Sequence, residues 1–361
     1  MEVIPKSKKR TADPSKYKRN VIKKSCLEGN AYIKYEYRQV SSKVFGLPCW
    51  KLGAMENSCG RKFVTFTSNE FVIEVPWGQV AAKGWGEESK TLVLVVHGLG
   101  DNAATFDQLI PLLPTSLYYV CIDLPSHGKS SRFPGDVLIC GYDYLLTFRL
   151  VLKHLNREKC ILLGHSYGAQ LLTIFAQLYP ECVNKLILLD SYYFFPHESE
   201  KFVDGLRDSV ESLLKLRNRK DRSYSYNEAV ERIARGRSFG TPLDEKSAKA
   251  LAERGLLSVG NEKYQFSSDP RLRIIINPFL DFDIVVKMLK EYPFTFPCLF
   301  LYTKETSKMY VLNSIPILEV LNSLENCQVV EIKGSHDVHS MDPKSVSPII
   351  RKFLTESKNK L

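Results

Sequence analysis

The run Cys160-Ile161-Leu162-Leu163-Gly164-His165-Ser166-Tyr167-Gly168-Ala169 decides how this chain is read. Cys160 to Gly164 is apolar without alternation, as in a strand buried on both faces of a parallel sheet. From Gln170 to Tyr179 the apolar residues return at helical spacing. Between strand and helix, Gly164 and Gly168 flank Ser166 two residues away on either side, the pattern of a tight turn that lifts a serine hydroxyl above the carboxyl edge of a sheet. A bare Gly-x-Ser-x-Gly arises by chance in roughly one chain in ten of this length. The strand before it and the helix after it therefore carry the argument.

Outward from this turn the pattern repeats. Upstream, Thr91–His97 and Leu117–Leu124 read as buried strands and Leu145–Leu155 as an amphipathic helix; downstream, Lys185–Asp190 is a further strand. Phe71–Val75 and Val80–Trp85, separated by Pro76-Trp77-Gly78, read as a hairpin. Asp101-Asn102 offers a cap to a helix carrying Phe106, Leu109, Ile110 and Leu113. Strict strand-helix alternation places the chain in the α/β class, a mostly parallel sheet flanked by helices. After Asp190 the alternation stops, and charge-rich segments of helical spacing (202–219, 226–237, 244–254) predict an inserted helical cap over 191–292. Sheet logic resumes with a strand Pro297–Tyr302, a helix from about Tyr310 to Leu324, a strand Cys327–Ile332 and a helix Pro343–Leu354. The core is thus expected over 66–190 and 293–361, with 1–65 a basic, partly ordered extension.

A serine hydroxyl becomes a nucleophile only when a base takes its proton, and a serine on such an elbow makes Ser166 the candidate nucleophile. In this topology the base follows late in the chain. His336, in Gly334-Ser335-His336-Asp337 just past the last strand, fits better than His339, which stands farther from the strand end. His127 reads as part of a surface turn, His165 as fixed in the elbow and His154 as lying on a helix face. The acid that orients the histidine must stand at a neighbouring strand end. Asp190 and Glu305 both qualify; Asp190 is favoured because Glu305 lies in a lysine-rich, solvated-looking segment. Donors for an oxyanion come from the backbone after the nucleophile and after an earlier strand, here Tyr167 and Leu99. These groups suit hydrolysis of an ester or thioester of a small acyl substrate; the rival reading is a non-catalytic binding protein on the same scaffold. The cluster Tyr192-Tyr193-Phe194-Phe195 is either an apolar acyl pocket or core packing.

Of the net charge of +10 over 361 residues, residues 1–45 contribute twelve Lys/Arg against four Asp/Glu, or +8, which leaves +2 for the rest. A solvated tail explains that block, and no nucleic-acid partner is expected. Nine scattered cysteines without Cys-x-x-Cys spacing predict free thiols and neither a zinc site nor a disulfide framework, as in a reducing intracellular compartment. Cys121, Cys160, Cys298 and Cys327 stand in or beside apolar runs and are expected to be buried. No apolar run reaches the length of a membrane span, and the N-terminus has no signal-peptide pattern.

Val75-Pro76-Trp77-Gly78, Ala81-Ala82-Lys83-Gly84-Trp85-Gly86, His97-Gly98 with Asp101-Asn102-Ala103, Leu163–Gly168, Lys185–Asp190, Asp269-Pro270-Arg271-Leu272 and Gly334–His339 together resemble the serine hydrolase-like proteins, a branch of the α/β-hydrolase fold. The resemblance covers roughly Phe71 to Leu354. It implies Ser166 and His336 as catalytic residues, no cofactor or metal, and a peroxisomal or vesicular setting. The C-terminal Asn359-Lys360-Leu361 is similar to a peroxisomal address and would engage an import receptor. Three departures stand out: Leu99-Gly100 where the family tends to carry tryptophan, Ser126 where such turns carry glycine, and Thr306 where most α/β-hydrolases place their acid.

Overall fold

The computed structural model describes residues 66–194, 199–218, 221–237, 240–276 and 280–356. The extension assigned to 1–65, Phe195 and the Asn359-Lys360-Leu361 terminus lie outside these residues.

The first hairpin turns on two residues: β1 (Ser68–Val75) and β2 (Gly78–Trp85) pair antiparallel with Val75 opposite Gly78. The next strand, β3 (Thr91–Val96), shows why its sequence lacks alternation: Leu92, Leu94 and Val96 join the core on one side of the sheet, and Val93 and Val95 the core on the other. Both faces are covered, so every position must be apolar. The same division recurs in β5 (Cys160–His165) and β6 (Val183–Leu189), which follow β4 (Leu117–Ile122), α1 (Leu145–His154) and, between them, α2 (Tyr167–Leu178).

After β6 come the insertion's helices α3 (Ser199–Arg217), α4 (Tyr226–Arg235) and α5 (Glu245–Gly255), a hairpin of β7 (Leu256–Ser258) and β8 (Tyr264–Phe266), and α6 (Phe282–Glu291). The hairpin has no signature in the sequence, since three-residue strands are too short to show a period. The core closes with β9 (Cys298–Thr303), α7 (Lys304–Ser323), β10 (Cys327–Ile332), the single turn α8 (Val338–Met341) and α9 (Pro343–Thr355). The eight-stranded sheet runs β1-β2-β4-β3-β5-β6-β9-β10, parallel from β4 onward. Parallel strands deliver their carboxyl ends to one edge, and there the candidate residues after β3, β5, β6 and β10 meet.

Four expectations change. The helix expected after Asp101-Asn102 is two short 3₁₀ turns, Ala103–Phe106 and Ile110–Leu112, the first capped by the Asn102 side chain accepting from the Ala104 amide at 3.1 Å. Pro111, without an N–H, prevents a continuous α-helix through this stretch. The helix expected from Tyr310 begins at Lys304, because the Thr303 hydroxyl accepts from the Thr306 amide at 3.2 Å and caps it. His127 is no surface residue: it is fully buried with its ring 5.0 Å from that of His97, and burial pushes its pKa down to about 3. Cys121, Cys160 and Cys298 are buried free thiols, and Cys327 is half-buried.

A buried ion pair joins the insertion to the core. Arg254 of α5 bonds Asp123, which follows β4, and reaches Glu70 of β1; Arg254 and Asp123 side chains are 3% and 0% exposed. Asp123 also accepts from the Ala103 and Lys129 amides at 2.7 and 2.8 Å. Removing one partner of such a pair strands the other charge, so Arg254→Met is expected to cost about 3–5 kcal/mol in urea unfolding. A loss below about 1 kcal/mol would mean that the pair does not anchor the insertion.

Candidate active site

Ser166 sits at φ 51° and ψ −119°, a conformation that side chains rarely adopt and that costs on the order of 1–3 kcal/mol. The surrounding structure holds it there. Its amide donates to the Leu189 carbonyl at 3.0 Å, and its carbonyl accepts from the Gln170 amide at 3.1 Å. The two glycines are required by close approach: a Cβ at Gly164 would lie 2.7 Å from the Ala169 backbone, and one at Gly168 would lie 2.3 Å from the Val96 carbonyl oxygen. The serine therefore stands between the ends of β5 and β3.

Asp190 ends β6 in the same manner, at φ 54°, with its amide donating to the Leu301 carbonyl at 2.7 Å. Its carboxylate accepts from the Thr303 amide at 2.6 Å, from the Thr303 hydroxyl at 3.2 Å and from the Thr306 hydroxyl. The fourth donor is His336 Nδ1, at 2.6 Å. With Nδ1–H committed to Asp190, the tautomer leaves Nε2 as the nitrogen able to accept a proton. His336 lines the same cavity as Ser166.

The alternatives go elsewhere. Glu305 lies half-buried in the first turn of α7 and accepts from the Thr241 hydroxyl at 2.8 Å. His339 is fully buried, pairs through Nε2 with the Thr105 hydroxyl at 2.9 Å and stacks 3.9 Å from the His165 ring. Burial and the neighbouring His165 hold its pKa well below the ordinary value. His165 itself donates from Nε2 to the His336 carbonyl at 3.0 Å; burial and His336 push its pKa down to about 4, so at neutral pH it braces the histidine loop uncharged.

Leu99 lines the cavity beside Ser166. Tyr167 opens α2, where the first amides of a helix lack intrahelical acceptors, while its ring turns inward onto Tyr144 and Phe194 at 5.8 and 5.9 Å. The loop bearing Leu99 is fixed by a residue that the sequence did not single out for this. His97 Nε2 accepts from the Leu124 amide at 2.9 Å, so its Nδ1–H donates to the Gly98 carbonyl at 2.7 Å. Burial holds this imidazole low, in the neutral form that the two bonds require.

Beside the elbow, Asp101, His165 and Asp337 bring ligand atoms within 4.8 Å of one another. Arg237, just past α4, makes four hydrogen bonds to the two carboxylates and is the cation at this point. Burial raises the acids' pKa values, but Arg237 outweighs it and holds both below the carboxylate range. Nothing in the sequence marks this residue, whose partners are 136 and 100 positions away. Groups lowered in the fold add stability above the unfolded pKa near 4 and lose it as pH falls through the folded value. Without Arg237, burial and mutual repulsion would raise them instead. Arg237→Met is therefore expected to lose about 3 kcal/mol or more in urea unfolding at pH 7, with the gap from wild type narrowing as pH falls to about 4. A gap independent of pH would sink this account.

The cavity has a volume of about 940 Å³ and is walled by the loop after β3, the elbow and cap residues including Ile233, Phe266 and Leu272. Tyr192, Tyr193 and Phe194 are not among the described residues that line it. Tyr193 and Phe194 are buried in the core, Tyr193 donating to Gln177 Oε1 at 2.9 Å, and Tyr192 packs edge-on against Phe300 at 5.1 Å. Of the two readings, core packing holds for these three.

Comparison with known proteins agrees with this architecture. Residues 91–223 match the family model described as the alpha/beta hydrolase fold. The chain is 31% identical over 304 residues to a serine hydrolase-like protein of Danio rerio, covering 81% of this chain and 92% of that one. It is 30% identical over 298 residues to serine hydrolase-like protein 2 of Homo sapiens, covering 79% and 94%. The crystal structure of a hypothetical protein from Pseudomonas aeruginosa superposes with a TM-score of 0.68 at 25% identity, covering 79% of this chain and 97% of that one. An elbow serine at the carboxyl edge of this sheet, with near-full-length relatives of one kind, assigns the chain to the serine hydrolase-like proteins of the α/β-hydrolase fold.

Proposed function

We propose that this chain hydrolyses an ester or thioester through an acyl-enzyme on Ser166. His336 Nε2 takes the Ser166 hydroxyl proton while Oγ bonds to the acyl carbon, and the Leu99 and Tyr167 amides hold the oxyanion. The tetrahedral adduct collapses, and His336 returns the proton to the departing alcohol or thiol. Water, deprotonated by the same nitrogen, then adds to the acyl carbon and frees the carboxylic acid, restoring Ser166. Asp190 holds the imidazole in the required tautomer and stabilises its charged form.

The observation that most supports this reading is the 2.6 Å bond from His336 Nδ1 to a carboxylate with three further donors, beside a strained serine. A binding protein has no need of that constraint. A fluorophosphonate probe is expected to form a covalent adduct on Ser166, located by peptide mass spectrometry. Absence of the adduct where a control serine hydrolase reacts would defeat the proposal in favour of the binding reading.

A further inference from the structure

The cavity over Ser166 is lined by charge. Six of the chain's 18 arginines face it, Arg132, Arg222, Arg232, Arg235, Arg237 and Arg273, and among the described residues none of its 32 lysines does. Since residues 46–361 carry a net charge of only +2, a general basic surface does not explain this. Five carboxylates also line the cavity, but most are already engaged. Asp101 is held by Arg237, Asp269 by Arg271 and Glu231 by Arg235. Glu228 closes the cap of α4 on Ser225, and Asp221 is exposed.

What remains is four guanidiniums against two carboxylates. Among the described residues Arg222 and Arg273 have no ion-pair partner, Arg132 bonds the Ser267 carbonyl at 3.3 Å and attracts Asp269 without pairing with it, and Arg232 stacks on Tyr224 at 4.5 Å. Arginine in preference to lysine matters chemically, because the planar fork matches carboxylate and phosphate oxygens two at a time.

We infer that the molecule cleaved at Ser166 carries an anionic group of its own, a carboxylate or phosphate outside the scissile bond, which the guanidiniums of Arg132, Arg222 and Arg273 receive. The inference rests on the hydrolase reading above and narrows its substrate to charged esters or thioesters. Hydrolysis supplies the anion-bearing alcohol or thiol, or a second carboxylate, as product. The cavity is large enough to admit such a group together with an acyl chain.

The test pairs substrates that share an acyl group and differ in charge. In the phosphate arm, acyl-coenzyme A thioesters are compared with the neutral N-acetylcysteamine thioesters. In the carboxylate arm, aryl half-esters of dicarboxylic acids are compared with their methyl-capped counterparts. In at least one arm the charged member is expected to have a kcat/KM about tenfold higher or more, and the advantage shrinks as salt is raised. Arg222→Gln/Arg273→Gln is expected to cut the charged-to-neutral ratio in that arm by about fivefold or more. Equal kcat/KM within both pairs, with Ser166 still labelled by fluorophosphonate, overturns the inference and leaves the hydrolase reading standing. If Ser166 is not labelled, the hydrolase reading has failed and the anion site is judged on binding alone. Coenzyme A and succinate are then titrated calorimetrically into wild type and double variant, and binding that is absent, or equal in the two, overturns it.

Discussion

Ser166→Ala is expected to lower kcat/KM for a reactive aryl ester by about 10⁴-fold or more and to abolish fluorophosphonate labelling. The reason is the elbow. Its geometry places one serine on the cavity that His336 lines, and no other described serine combines a strained turn with that cavity. On the proposed mechanism a residual rate above that of water persists, because the Leu99 and Tyr167 amides remain in place. The elbow's hydrogen bonds are made by backbone, so the unfolding free energy in urea is expected to shift by less than about 0.5 kcal/mol. If Ser166→Ala retained wild-type turnover, the chemistry would have to be placed elsewhere.

Asp190→Asn comes next, with an expected fall of about 10³- to 10⁴-fold in kcat. An amide in place of the carboxylate can present its NH₂ to His336 Nδ1, which favours the tautomer with the proton on Nε2, where the serine proton must go. Glu305→Gln serves as the comparison and is expected to change kcat by less than about threefold, since that side chain is engaged with Thr241. Steady-state kinetics on the two variants decides between the acids. A large loss from Glu305→Gln with none from Asp190→Asn would reverse the assignment.

The sequence carried the sheet well because its central strands are buried on both faces, and an unbroken β-branched and leucine run such as Leu92 to Val96 suits little besides a strand covered on two sides. The gathering of the candidates Ser166, Asp190 and His336 at one sheet edge is legible for a related reason: each directly follows a strand end or the loop after one, so their convergence is a matter of topology. Choosing between Asp190 and Glu305 was harder, since the choice depends on donors from another strand. Thr303 and Thr306, which secure Asp190, lie 113 and 116 residues further along. Thr306, one of the three departures, stands where most α/β-hydrolases place their acid, and in the fold it donates to Asp190 at the end of the adjacent strand. The burial of His127 does not show in the sequence, because a Pro-Ser-His-Gly stretch has the composition of an exposed turn, while its burial comes from packing against His97 and Tyr144. Arg237 carried no periodicity and no motif. Its role exists only once α4 has been brought over the loops after β3 and β10.

The position of Arg237 bears on how a substrate gains entry. Lifting α4 would strip Asp101 and Asp337 of their shared counter-ion in one movement, separating charges where little water can compensate. It would also release the two loops that flank the serine. Lifting α4 and keeping both loops paired to Arg237 are therefore mutually exclusive. On the proposed reading, a substrate reaches Ser166 through the cavity as it stands, with Arg237 still bound to both carboxylates.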